Sequence, residues 1–121
     1  MANIREKIAK NAAPHLEPGE TIQQVFGGQT ANQWLFILGG IFFMLSNNYR
    51  TVAVTDRRIL IMDSGKWTTT KAKSVVHSVP RNTQIGPASG LWYRCENLPE
   101  RLFIHKRYHK DVLAADQMIG A

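Results

Sequence analysis

At 121 residues the chain has room for one hydrophobic core and not two. Its single cysteine, Cys95, excludes an internal disulfide and a cysteine-based metal cluster, and suits a reducing compartment. The net charge of +6 is uneven: residues 1–48 balance three basic against three acidic side chains, so 49–121 carry the whole excess. Such a surface attracts lipid headgroups, nucleic acid or an acidic protein, or is simply solvated.

The first seven residues are charged and no apolar stretch follows them, so no secretory signal is read and cytoplasmic residence is expected. Residues 3–13 predict a helix with Asn3 as N-cap, Glu6 at the third helical position and a stripe of Ile4, Ile8 and Ala12. Pro14 stops it. Pro18-Gly19 suits the middle of a type II turn. Thr21 to Phe26 predicts a first strand, closed by Gly27-Gly28.

Residues 34–45 run without a charged side chain, and only the Trp34 indole can hydrogen-bond. A bilayer-spanning helix needs roughly 20 apolar residues, so this run is too short to cross. A hairpin turning at Gly39-Gly40, a short buried helix, or a segment dipping into a membrane surface all fit. In the last case Trp34 lies at the interface and Arg50 snorkels beyond it. Trp34, Phe36, Ile41, Phe42 and Phe43 are the candidates here for membrane contact or self-association.

Beyond this run the pattern is β. Arg50–Thr55 and Arg58–Met62 form a tight hairpin pivoting at Asp56-Arg57, with Val52, Val54, Ile59 and Ile61 directed to one side of their strands. Further strands are expected at 68–70, 74–79, 84–85, 91–95 and 101–105. Val75, His77 and Val79 share a face of one; Leu91, Tyr93 and Cys95 share a face of another. Residues 108–119 predict a helix with a stripe of Tyr108, Val112, Ala115 and Ile119, ended by Gly120. The sum is a mainly β (α+β) fold: about seven short antiparallel strands in a barrel or sandwich, with one helix placed to plug an open end.

The run Val52 to Leu60, containing Thr55-Asp56-Arg57-Arg58 and preceded by Pro18-Gly19-Glu20, resembles bacterial proteins with a pleckstrin-homology-like (PH-like) domain. The stretches 86–93 and 104–112 resemble an actinobacterial branch of that group. The resemblance covers roughly 16–117. It implies two bent sheets capped by a C-terminal helix, and no enzyme activity. The chain then divides into a helical extension at 1–15 and a PH-like domain at 16–121, with an apolar insert at 34–45 that the family pattern does not contain.

Four motifs invite a functional reading. Arg57 and Arg58 suit an anion clamp, but a structural turn with Asp56 paired to an arginine explains them better. Lys66, Trp67, Lys71 and Lys73, with Arg81 after the next strand, form the best ligand candidate: lysines meet phosphate while tryptophan meets lipid or a base. The competing reading is an edge strand whose lysines discourage aggregation. His105 and His109 have zinc-ligand spacing, yet one ends a strand and the other starts a helix, so no metal is expected. Residues 106–110 form a second basic patch. No paired carboxylates or nucleophile–base set appears, so no catalysis and no cofactor is expected.

The sequence thus predicts a non-catalytic binding module at the cytoplasmic membrane face or on a protein partner, peripheral to the inner membrane, with possible self-association through 34–45. A small basic nucleic-acid-binding domain is the alternative.

Overall fold

The β-branched and apolar residues of 49–62 dictate two central strands, and a computed structural model shows what they build. The structure describes residues 4–30, 47–66, 68, 70–100 and 102–119. Helix α1 (Ile4–Ala12) leads into a 3-10 turn at Ala13–His15. The strands are β1 (Ile22–Gln29), β2 (Tyr49–Thr55), β3 (Arg58–Gly65), β4 (Ser74–Pro80), β5 (Trp92–Cys95) and β6 (Leu102–His105). A 3-10 turn at Lys106–Tyr108 then precedes helix α2 (His109–Gln117). All strand pairs are antiparallel, in the order β4-β3-β2-β1-β6-β5. The sheet curls into a half-barrel.

Strand periodicity sends alternate side chains to opposite faces. On the concave face Phe26, Val52, Val54, Ile59 and Ile61 meet Leu102, Ile104 and, from the C-terminal helix and its preceding turn, Tyr108, Val112 and Ala115. On the convex face Val25, Ala53, Leu60 and Met62 meet Ile8 and Ala12 of α1. The central strands are therefore covered on both faces, which is why Val52–Val54 and Ile59–Met62 are apolar without interruption. The hairpin register pairs Val52 with Ile61 and Val54 with Ile59, so the four share a face as predicted.

Several local expectations need correction. β1 does not end at Gly27-Gly28. It runs on to Gln29, because β2 pairs with it throughout and β6 joins at Gln29–Phe103. Ladder bonds on both sides outweigh a glycine cost of about 1 kcal/mol. No strand forms at 84–85: the backbone N–H groups of Ile85 and Gly86 donate to the Asp116 carboxylate at 2.8 Å each, where a strand would need a neighbour. Thr68 and Thr70 lie in irregular chain; the Thr70 N–H donates to Thr68 Oγ1 and its carbonyl accepts from Asn11. Six strands are thus present among the described residues, where about seven were expected.

Val75 and Val79 do not share a face. A bulge between the Ile61 and Met62 pairings puts Val75 opposite convex-facing Met62, while Val79 stays opposite concave-facing Ile59. Leu91 precedes β5 and is 58% exposed; Tyr93 and Cys95 face the core.

Other local features follow the sequence. The Pro18-Gly19 turn closes with the Glu20 N–H donating to Glu17 O at 3.0 Å and Gly19 at φ +80, the type II geometry. α1 stops at Ala12, ahead of Pro14. The N-terminal residues 1–3, the whole apolar run 34–45, Trp67 and Gly120 lie outside the described residues.

Candidate functional site

The Thr55-Asp56-Arg57-Arg58 pivot is architectural. Arg58 grips the Glu20 carboxylate with two bonds of 2.9 Å, and the Thr55 hydroxyl donates to the same carboxylate at 2.6 Å. The Glu20 side chain is fully buried. The Arg58 guanidinium above all, with the Thr55 hydroxyl, pushes its pKa down to about 2 despite burial. Thr55 Oγ1 also accepts the N–H groups of Arg57 and Arg58, closing the turn. Asp56 is not paired with an arginine: its Oδ1 accepts the Thr21 N–H at 2.9 Å, and its own N–H donates to Thr21 O. Arg57 is exposed and, among the described residues, pairs with Glu17 at 3.3 Å. The acid that matters, Glu20, sits in the Pro18-Gly19-Glu20 turn, and sequence spacing gave no sign of its partner 38 residues away.

The basic candidates divide between opposite ends of the sheet. Lys66, Lys71 and Lys73 belong to the β3–β4 connection. Its backbone is fixed: the Lys71 N–H donates to Ser64 Oγ and the Lys73 N–H to Asp63 O, each at 2.9 Å. Gly65, at φ +88, lets the chain leave β3. Lys71 and Lys73 are exposed. Lys66 donates to the Asn47 carbonyl at 3.0 Å. Arg81 lies beyond the other end of β4, a full strand of about 20 Å away. Its guanidinium donates to Gln23 Oε1 at 2.9 Å and to Ala115 O at 3.0 Å, fastening α2 to β1. Burial lowers its pKa. Arg81 is a clamp within the fold and stands apart from the lysines.

The lysine-bearing end also holds both feet of the apolar segment. The Thr30 N–H donates to Asn48 O at 3.0 Å, and the Asn48 N–H to Thr30 Oγ1 at 2.9 Å. Thr30 and Asn47, which flank residues 31–46, thus lie at the same end of the sheet as Lys66. Trp34, Phe36, Ile41, Phe42 and Phe43 are themselves outside the described residues, as is Trp67. Arg50 does not snorkel: it is held by Glu100 at 2.6 Å and Asp63 at 3.0 Å. Arg50 thus bridges Glu100 and Asp63, the acid nearest the lysines in sequence.

The histidines do not converge on one point. His105 Nδ1 accepts the Arg107 N–H at 3.1 Å, whereas His109 Nε2 faces Ile104 O at 3.3 Å. Cys95 is buried with its thiol on Ile85 O, and burial pushes its pKa up, which makes it a packing residue. No helix among the described residues is long and apolar enough to cross a membrane. No protein-family model, curated protein or solved structure matches this chain.

Proposed function

We propose that the chain is a PH-like, non-catalytic binding module that docks peripherally on the anionic cytoplasmic face of a membrane. The end bearing Lys66, Lys71 and Lys73 faces the lipid. The curled antiparallel sheet, in which β1 joins β2–β4 to the β5–β6 hairpin, with a C-terminal helix packed on its concave face, supports the PH-like part of this reading. The observation that carries the docking is the shared location of the basic loop and the feet of the apolar segment. Three lysines near an anionic surface contribute roughly 3 kcal/mol, too little for stable attachment. Apolar side chains from 34–45 supply the second signal that firm binding needs.

Co-sedimentation with phosphatidylglycerol vesicles tests the proposal. The protein pellets with anionic vesicles and stays in the supernatant with phosphatidylcholine alone. Replacing Phe42 and Phe43 with Ser abolishes pelleting without lowering the unfolding midpoint. Soluble protein under both conditions, with a dimer mass that detergent dissociates, would assign the apolar run to self-association.

A further inference from the structure

The second basic patch, on β5, β6 and the turn that follows them, lies at the edge of the sheet opposite β4 and has a construction of its own. The β5–β6 register sets Trp92 opposite His105 and Arg94 opposite Phe103. These side chains share the face away from Tyr93 and Ile104, which point into the concave core; on it Phe103 is buried, Trp92 and His105 are half-buried and Arg94 is exposed. The Trp92 and His105 rings meet edge to face, with centroids 5.0 Å apart at 82°. His105 Nδ1 accepts from Arg107, so in the neutral ring Nε2 carries the proton and is a donor. Arg107 lies against His105, its Nε 3.4 Å from Nδ1. The Lys106 N–H donates to Leu91 O at 2.8 Å, which brings Lys106 to the start of β5. Lys106, Arg107 and Arg94 are all exposed. The neighbouring acids are engaged: Glu96 with Arg94 at 3.3 Å, and buried Asp111 with Arg5.

A half-buried tryptophan braced by His105, with the exposed Lys106 and Arg107 following in the chain, matches the chemistry of a base stacked beside its phosphates. A bare phosphate would use the cations and leave the indole without a role. From this juxtaposition we infer that Trp92, His105, Lys106 and Arg107 form a binding surface for single-stranded nucleic acid. Trp92 stacks on a base, while Lys106 and Arg107 meet the flanking phosphates. The surface is separate from the lysines of the β3–β4 loop, so it operates whether or not the membrane reading holds.

Fluorescence anisotropy with fluorescein-labelled oligo-dT and oligo-rA, competed with unlabelled polyphosphate, tests this at low salt. The oligonucleotides bind more tightly than polyphosphate. Trp92→Ala weakens them about tenfold while Trp92→Phe retains binding. Lys106→Glu with Arg107→Glu abolishes binding and, being on exposed side chains, leaves the fold intact. Lys71→Glu with Lys73→Glu weakens oligonucleotide binding far less than Lys106→Glu with Arg107→Glu does, by the general loss of positive charge alone. The proposal is overturned if no oligonucleotide binds, if polyphosphate competes equally and Trp92→Ala has no effect, or if only the Lys71 and Lys73 changes reduce binding.

Discussion

Glu20 shows how one residue ties three segments together. Its carboxylate joins the turn before β1, the end of β2 and the start of β3 through Thr55 and Arg58. Removing one partner from such a pair leaves a poorly solvated charge, so Glu20→Ala is expected to cost about 3 kcal/mol in a urea unfolding series. The folded pKa lies below the ordinary value of 4.5. The stabilisation is therefore complete above that value and disappears as the pH falls toward about 2. Urea midpoints between pH 5 and pH 2 should fall less steeply in Glu20→Gln than in the parent (window from the shift). Gly86 is a second sensitive position. A Cβ there would sit 2.8 Å from the Ala88 backbone nitrogen and 3.0 Å from Val112 Cγ1. Backbone cannot yield cheaply, so Gly86→Ala should lower stability by about 2 kcal/mol.

Among the elements, the two helices lie on opposite faces of the sheet yet touch at their N-terminal ends. Arg5 of α1 donates to both Asp111 oxygens of α2, at 2.9–3.0 Å, and to Arg107 O at 2.7 Å. The clasp holds α1 over Ala53, Leu60 and Met62, so it protects the convex core from solvent. Arg5→Ala should speed amide exchange across α1 while leaving β2 and β3 protected, because their ladder is independent of it; equal exchange in both variants would mean that Ile8 and Ala12 alone hold α1. The apolar stripes of α1 and α2 were legible in sequence, since each repeats at helical spacing. The clasp was not, because its partners lie 106 residues apart. The same division runs through the strands. β2 and β3 announce themselves by β-branched alternation, whereas the length of β1 depends on neighbours from β2 and β6. The bulge in β4 leaves no mark on the residue pattern.

For the whole molecule, the fold sorts charge in a way the linear sequence conceals. Most arginines near the sheet act as fasteners: Arg5, Arg50, Arg58 and Arg81 each hold two segments together. The exposed cations lie on α1 (Lys7, Lys10), in the β2–β3 turn (Arg57), in the β3–β4 connection (Lys66, Lys71, Lys73) and along β5, the turn after β6 and the start of α2 (Arg94, Lys106, Arg107, Lys110). Sequence reading grouped Arg81 with Lys73 because only seven residues separate them, but those seven form a strand and carry them to opposite ends. It could place the lysines and the residues flanking the apolar run as separate features; that Thr30, Asn48 and the β3–β4 lysines lie at one end depends on β1, β2 and β3 pairing in register. The most direct measurement of the central claim is the partition of the protein onto phosphatidylglycerol vesicles before and after Lys71→Glu with Lys73→Glu. Docking by this end predicts a loss of at least tenfold at low salt, from roughly 1 kcal/mol for each lysine removed and further repulsion from each glutamate, with unchanged partition for Lys106→Glu with Arg107→Glu. Equal partition of the Lys71 and Lys73 variant and the parent protein would contradict it.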